Sequence, residues 1–501
     1  MKKILAAMSV ALAGCGGGAT DSPTSVAVKN NVENLPLFSS TPIELPDLRP
    51  LYDSLCGNLT DISPQALLVD LNKDGNKDIA LQFFCLRNSE IGKPYDGSTP
   101  NKFIVFLQQK NGSFIDGTRS LFGVDYVDLG GIATRSVVND FNKDGYPDIV
   151  FSISREDGRL PNDNGATNIN AQNIFITSNG SGGYNFIKQG QAAWNYGLVA
   201  ADNELGGIDV ISSPIGYNFV QEVWHYLSSW SLRGFYDWVE GAGTTFFKRK
   251  SSTQGSQIAV TGLPYPNSGM ALYYKENNSW VKKDELSNKT SMVLFGSWTG
   301  TLNYASMTTI DGKDYLPFSQ LENMCEMKLK KDDPDSILLD LVWGAEIKDG
   351  YHGQTIYENA DYLQNKSWLV AYNVTNGKLT RNSSFKLNNE IQSLAISDLK
   401  CKDVNGDGYD DILMTAYFGP PLIYINDKTG TFNRIDPAIV PNVGFYIQGE
   451  SYIYDDINGD GIPDIVRFPV TNTQGPNSDQ GPLKFKIYTG NRPILSKDLL
   501  K

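Results

Sequence analysis

Asp70-Leu71-Asn72-Lys73-Asp74-Gly75-Asn76-Lys77-Asp78-Ile79 reads as Asp-x-Asn-x-Asp-Gly-x-x-Asp followed by Ile, and the chain carries this pattern four times. The second copy is Asp140, Asn142, Asp144, Gly145, Asp148 and Ile149. The third is Asp403, Asn405, Asp407, Gly408, Asp411 and Ile412, and the fourth is Asp456, Asn458, Asp460, Gly461, Asp464 and Ile465. One match is a common hairpin turn; four in register are a repeat. The spacing suits a hard cation. Ca²⁺ takes about six to eight oxygens, and side chains at positions 1, 3 and 5 converge when the backbone wraps tightly, with Gly at 6 permitting the turn. Position 7 would add a backbone carbonyl, from Asn76, Tyr146, Tyr409 or Ile462, and the position-9 carboxylate would close the shell. Carboxylates crowded this closely repel one another unless a cation lies between them. The expectation is about four bound Ca²⁺.

These loops are not EF-hands, which need an acid at position 12 and a helix on each side. Position 12 here is Leu81, Phe151, Met414 or Arg467. Apolar, strand-like runs flank the loops instead, such as Ala66-Leu67-Leu68-Val69 before the first and Ile149-Val150-Phe151-Ser152-Ile153 after the second. A second unit follows at a variable distance: two apolar runs around a tight turn. Examples are Phe103–Phe114 through Asn111-Gly112, Ile174–Phe186 through Gly182-Gly183, and Leu272–Val281 through Asn277-Asn278. Others are Leu369–Leu379 through Asn376-Gly377 and Leu422–Phe432 through Thr429-Gly430. Asn-Gly between apolar strands is a strong hairpin signal. One unit therefore reads strand A, acidic loop, strand B, variable loop, strand C, tight turn, strand D. A four-stranded unit that recurs is the mark of a β-propeller blade.

The loops begin at residues 70, 140, 403 and 456, so three blades with decayed loops should fill the long middle interval. The candidates for those loops are 203–209, 251–257 and 309–314. The fold class expected is all-β, a seven-bladed propeller over residues 46–495, with an insertion at about 318–367 in blade five. That insertion holds Cys325, Asp332-Asp333-Pro334-Asp335, Trp343 and His352.

The chain resembles the FG-GAP/VCBS-repeat proteins and is similar to the propeller of integrin α chains. The four intact loops match that family's motif position by position, and Phe122-Gly123, Phe295-Gly296 and Phe418-Gly419 agree with it. The resemblance covers roughly residues 50–490 and implies Ca²⁺ binding by the intact loops, while blades three to five depart from the pattern.

Composition fits this reading. The chain has 501 residues, with 48 Gly and 24 Pro, as expected for many short strands joined by turns. A formal charge of −13 excludes nucleic acid as a partner, since phosphate binding needs a basic surface. Only His225 and His352 are present, which excludes His-rich metal sites. At the N-terminus, Lys2 and Lys3 precede a short apolar run and then Leu12-Ala13-Gly14-Cys15, the layout of a secretory signal over residues 1–14. The last four residues resemble a bacterial lipobox, which implies lipidation of Cys15 and an outer-membrane destination, on either the periplasmic or the exposed side. Residues 15–45 then serve as a flexible tether, and the lipid is the only membrane contact. Removing residues 1–14 leaves −15, which four Ca²⁺ would bring to about −7.

Four cysteines remain beside Cys15. Cys56 and Cys85 should lie near one end of the first blade, and they are the expected pair. Cys325 and Cys401 would follow by elimination, but the predicted geometry speaks against them, placing them on opposite rims.

Antiparallel alternation sends A–B loops to one face and B–C loops to the other. The long B–C loops Leu86–Asn101, Ser154–Gln172 and Thr471–Leu483 therefore gather opposite the acidic loops, and long loops on a rigid scaffold usually carry function. The leading expectation is a module that binds a protein or glycan at the cell envelope through that face. The alternatives are a polysaccharide lyase or hydrolase, with Glu156 and Asp157 as a candidate acid pair, and a scaffold for envelope assembly. No catalytic constellation is visible, and the expectation leans against an enzyme. Trp224, His225, Tyr226, Trp230, Phe235, Tyr236 and Trp238 form an aromatic cluster that could stack on sugars, but is read first as packing between blades.

Overall fold

The Asp that closes each acidic loop opens a strand, and the Ile after it begins a run that is apolar on both faces because a sheet lies against each face. The computed structural model describes residues 35–56, 65–83, 101–154, 172–190, 194–203, 207–215, 221–236, 246–250, 257–262, 268–276, 279–288, 308–310, 313–329, 337–346, 366–388, 396–416, 420–441, 452–467 and 484–500. After β1 (Ile43–Glu44) and the helix α1 (Arg49–Cys56), the chain lays down one sheet after another. The first is β2 (Gln65–Val69), β3 (Asp78–Phe83), β4 (Lys102–Gln108) and β5 (Phe114–Asp116). The short helix α2 (Thr118–Phe122) follows, and β6 (Val127–Asp128) pairs with β4. The second is β7 (Ile132–Asn139), β8 (Asp148–Ser154), β9 (Asn173–Ser178) and β10 (Tyr184–Gln189). The third is β11 (Trp194–Asp202), β12 (Ile208–Ile215), β13 (Gln221–Tyr226) and β14 (Trp230–Tyr236). The fourth is β15 (Phe246–Lys250), β16 (Gln257–Gly262), β17 (Ser268–Glu276) and β18 (Ser279–Asn288).

The fifth sheet has five strands: β19 (Thr308–Ile310), β20 (Lys313–Met327), β21 (Ile337–Glu346), β22 (Lys366–Thr375) and β23 (Lys378–Arg381). The sixth holds β25 (Ile396–Lys402), β26 (Asp411–Ala416), β27 (Leu422–Asn426) and β28 (Thr431–Arg434), with β24 (Lys386–Asn388) lying parallel to β28. The last is β29 (Tyr452–Asp455), β30 (Asp464–Arg467) and β31 (Lys486–Tyr488), completed by β1. Six sheets are continuous runs of chain and a seventh is built from both ends. The continuous blades thus number six, against the seven expected, and the composite sheet lies between the last of them and the first. Apart from the β24–β28 pair, the pairings are antiparallel, and the chain is an all-β propeller.

Side chains alternate along each second strand, and the alternation assigns every neighbour. Ile79 and Leu81 pack against the last sheet, whereas Ala80 faces the second. Ile149, Phe151 and Ile153 meet the first sheet and Val150 meets the third. Ile412 and Met414 face the fifth sheet and Leu413 the last; Ile465 faces the sixth and Val466 the first. Leu338 reaches the fourth sheet while Leu339 and Leu341 reach the sixth. Strand β11 lies against β15, which joins the third sheet to the fourth. The sequence of neighbours returns to its start, so the ring is closed. Each fully buried Leu or Ile in these seams contributes roughly 1.5–3 kcal/mol.

Closure uses both ends of the chain. Ile43 pairs with Ile487 and Glu44 with Lys486, and Glu44 also takes ion pairs from Lys484 at 3.0 Å and Lys486 at 3.3 Å. Leu37, Phe38, Leu45 and Leu48 are buried in the same region. Residues from Pro36 onward therefore belong to the propeller, ahead of the expected boundary at 46; Pro36–Lys501 form one compact unit. Beyond β31 the tail crosses to the sixth sheet, where Leu500 N–H donates to Arg434 C=O and Asp436 N–H to Asp498 C=O, both at 2.8 Å. Arg492 and Asp498, each about 4% exposed, make two parallel bonds of 2.6 and 2.7 Å that fix this tail.

Blade five differs from the sequence reading. The hairpin that pairs Thr375 with Lys378 makes β22 and β23 its third and fourth strands, so β21 is the second and β20 the first. The interval 318–367 thus contains two of the blade's own strands and is no insertion. Asp332-Asp333-Pro334-Asp335 falls in the link between them, outside the described residues. The A–B connection is accordingly the segment after Met327, and 309–314 is only the β19–β20 turn. The misreading came from Pro317 and the largely polar run Ser319–Asn323, where the register of β20 slips between Ser319 and Met324.

This relocation reverses the objection to the second cysteine pair. Cys325 on β20 and Cys401 on β25 are both on first strands of adjacent blades, and they form a disulfide with their Cα atoms 5.7 Å apart. Cys56 ends α1, while Cys85 lies outside the described residues, as do Cys15 and residues 1–14. Among the described residues no helix is long and apolar enough to cross a membrane.

Two outcomes follow. Reduction of Cys325–Cys401, or Cys401→Ser, lowers unfolding stability by up to about 4 kcal/mol in the chain-entropy account for a loop this long, measured by denaturant titration with and without reductant. Asp498→Asn leaves Arg492 buried without its counter-charge and costs on the order of 3 kcal/mol in the same titration.

Candidate metal centre

The four acidic loops share one set of hydrogen bonds. The position-1 Asp accepts through Oδ1 from the position-5 amide, at 3.0, 3.0, 3.1 and 3.2 Å for Asp70, Asp140, Asp403 and Asp456. Its Oδ2 accepts from the position-6 Gly amide at 2.9, 2.8, 2.8 and 2.8 Å. Asn72, Asn142, Asn405 and Asn458 at position 3 also accept from the position-5 amide through Oδ1. Position 5, in turn, accepts the position-7 amide of Asn76, Tyr146, Tyr409 or Ile462.

Two backbone positions make the wrap possible. Gly75, Gly145, Gly408 and Gly461 have φ between 82° and 91°, as position 6 requires. Position 4 is left-handed too, with φ of 60° at Lys73, 61° at Lys143, 73° at Gly406 and 75° at Gly459. The sequence hides this second demand, because Lys occupies it in two copies.

Position 9 anchors each loop to its blade. Asp78, Asp148, Asp411 and Asp464 are fully buried. Their Oδ2 accepts the position-2 amide at 2.9–3.0 Å. Their Oδ1 reaches an amide at the end of the third strand or just beyond it: Gln108, Ser178, Asn426 or Gly490. Burial pushes these carboxyls up, to about 6 for Asp78, Asp148 and Asp464 and about 7 for Asp411; nearby loop carboxylates push the same way. Position 2 is the residue the sequence reading missed. Leu71, Phe141, Val404 and Ile457 are buried and each enters the seam with the next blade.

The donors are all oxygens, and a buried carboxylate faces like charges, which fits a hard cation such as Ca²⁺. Among the described residues no three His, Cys, Asp or Glu side chains form a ready-made metal cluster; the loop carboxylates are engaged with backbone amides. If Ca²⁺ is held, positions 1, 3, 5 and 9 and the position-7 carbonyl are the groups to hold it, and the ion would neutralise the loop.

The decayed loop of blade three keeps a fragment of the pattern. Val210 packs against the preceding blade as Ile79 does, so Asp209 is the position-9 counterpart. It is buried, and it takes Asn203 Nδ2 at 2.7 Å and the guanidinium of Arg233. Of the aromatic cluster, Trp224 and Trp230 are core, while His225 and Tyr226 are partly exposed. Trp224 and Trp230 are buried against Phe175, with centroids 5.2 and 4.6 Å away, and Trp230 Nε1 donates to Thr177 Oγ1 at 2.7 Å. Glu156, Asp157, Trp238, His352 and most of the long B–C loops lie outside the described residues.

Residues 403–467, which hold the third and fourth intact loops, match the family model of the FG-GAP-like repeat. The chain is a β-propeller that carries an FG-GAP-like repeat over these residues. No curated protein matches it. Several solved structures are similar to the chain at low identity. An ulvan lyase of polysaccharide lyase family 25, bound to its saccharide, is 7% identical with a TM-score of 0.36, over 87% of this chain and 95% of that one. A mutant of the NanB sialidase of Streptococcus pneumoniae is 9% identical with a TM-score of 0.33, over 94% and 73%. A putative exo-β-1,3-galactanase of Bifidobacterium bifidum is 8% identical with a TM-score of 0.29, over 64% and 90%. Likeness at this level says nothing of activity.

For the loops, Asp460→Ala is expected to lower the melting temperature in Ca²⁺ and to change it little in chelator. Scanning calorimetry under both conditions checks this, and equal effects in both would count against the metal.

Proposed function

We propose that this protein is a calcium-stabilised, lipid-anchored β-propeller of the bacterial cell envelope that binds a protein or glycan through its B–C loops. The observation that carries the reading is the polarity of the ring. The four intact A–B loops repeat one bonding pattern on one rim. Four of the seven connections from second to third strand are long and unlike one another in sequence, 84–101, 155–172, 347–365 and 468–485, while 216–220, 263–267 and 417–421 are short. Three of these belong to the last, first and second blades, which are neighbours in the closed ring. A face made of dissimilar long loops on a rigid scaffold is where recognition is built, while a repeated tight loop serves stability.

Location is supported from two sides. The Leu12-Ala13-Gly14-Cys15 ending favours a diacylated Cys15 as anchor. The Cys325–Cys401 disulfide favours an oxidising compartment outside the cytoplasm. Calcium at extracellular-module affinities, ~10⁻⁴–10⁻³ M, would fill the loops there.

A glycan array and a pull-down from envelope extracts test the binding face. Shortening 155–172 and 468–485 together should abolish capture by the folded protein, whereas Asp460→Ala in excess Ca²⁺ should retain it. Unchanged capture by the shortened variant would remove the B–C face from consideration. Cys15→Ser should move the protein from the membrane fraction to the soluble one.

A further inference from the structure

One difference among the four loops lies at Oδ2 of the position-5 Asp. In 70–78, 140–148 and 456–464 this oxygen accepts Nδ2 of the position-3 Asn, at 3.1, 2.8 and 3.1 Å. In 403–411 it is Asp407 Oδ2, and Nζ of Lys428 stands 3.2 Å away. Lys428 lies in the turn between β27 and β28 of the same blade. Its backbone is left-handed, with φ of 71°, and its N–H donates to Asn426 Oδ1 at 2.9 Å. The amide of that same Asn426 holds position-9 Asp411 at 2.8 Å. The ammonium also sits 5.4 Å from the ring centroid of Tyr409, at position 7. Lys428 is therefore directed by the strand end that anchors the loop, and its cation lies against two residues of the ligand set.

Blade three shows the end point of such an arrangement. There the acidic set has decayed, and the surviving position-9 carboxylate of Asp209 is paired with Arg233, a cation supplied by the blade itself. Blade six has kept every acid of the set and gained a cation as well.

We propose that Lys428 is a built-in competitor for the metal at loop 403–411. The proposal rests on the calcium reading of the loops and adds regulation to it. An ammonium and a divalent ion cannot share Asp407 Oδ2 without repulsion, so loading this loop displaces Lys428 toward solvent, where its side chain is already 53% exposed. The loop is neutralised by Lys428 when calcium is scarce and by calcium when it is abundant. Loop 456–464, whose matching oxygen meets only a neutral amide in the corresponding bond, loads first. Calcium uptake thus falls into two stages, and blade six stays held together between them.

The test is a calcium titration of the chelator-stripped full chain by calorimetry, for wild type, Lys428→Met and Lys428→Arg. Lys428→Met keeps the length of the side chain and removes the charge. It should tighten one class of site about fivefold, the scale of a half-exposed ion pair. Lys428→Arg should leave the two-stage isotherm in place. Lys428→Met should also lower the melting temperature in chelator and leave it unchanged in saturating Ca²⁺, a dependence on the metal that a purely structural lysine would not produce. If wild type binds calcium and Lys428→Met gives the same isotherm and the same melting shift in both conditions, the competitor role is overturned and the metal reading stands. If wild type binds no calcium, both fall.

Discussion

A buried aspartate at the end of each acidic loop is the constraint on which the rest depends. Asp78, Asp148, Asp411 and Asp464 each use one oxygen to hold the start of the loop and the other to hold the third strand or the residue beyond it. The loop, the second strand and the third strand are thereby fixed to a single side chain. That position also sets the register of everything after it. Slipping the second strand by one residue would turn Ile79 and Leu81 from one neighbouring blade to the other, along with every residue behind them. A buried carboxylate is costly without partners, so the four copies tolerate little variation in how they are satisfied.

Sheet stacking then follows from geometry. A strand with sheets on both sides reads as a continuous apolar run, and Ile149-Val150-Phe151-Ser152-Ile153 does so apart from one buried serine. The ring has no free start because β1 completes the sheet of β29–β31, and the tail beyond β31 reaches one blade further back. The disulfide adds a covalent link between the first strands of blades five and six, where the intact loop of blade six meets a blade that lacks the acidic pattern.

The sequence discloses what is repeated and conceals what is singular. The acidic loops, the Asn-Gly hairpins and the period-2 strands were legible because each rests on local chemistry: an oxygen set, a positive φ, an alternation. Blade five was not, since Pro317 and a largely polar run interrupt β20 and local pattern cannot show that a slipped strand still pairs. The cysteine pairing was misjudged for the same reason, since the rim assigned to Cys325 depended on that blade. Position 4 escaped notice because Lys73 and Lys143 carry a left-handed backbone without a glycine to advertise it. Position 2 was passed over because a lone apolar residue in an acidic loop looks like filler, although its burial in the next seam links the loop to its neighbour.

Several acids of the described residues are balanced by nearby cations, from their own blade or from its neighbours. Asp455 precedes the fourth loop and faces Lys402, which precedes the third, at 2.9 Å, and Lys77 of the first at 2.7 Å. Burial would raise its carboxyl, but the bonds from both lysines hold it below the usual range. These three residues belong to blades one, six and seven. Lys402 and Asp455 also line a cavity of about 210 Å³ between the first strands of those blades. An acid just outside an acidic loop is thus neutralised by protein cations from adjacent blades, Asp209 by a cation of its own blade, and Asp407 by Lys428. The loops that lack a protein cation on the position-5 oxygen are those with the strongest need of an external one.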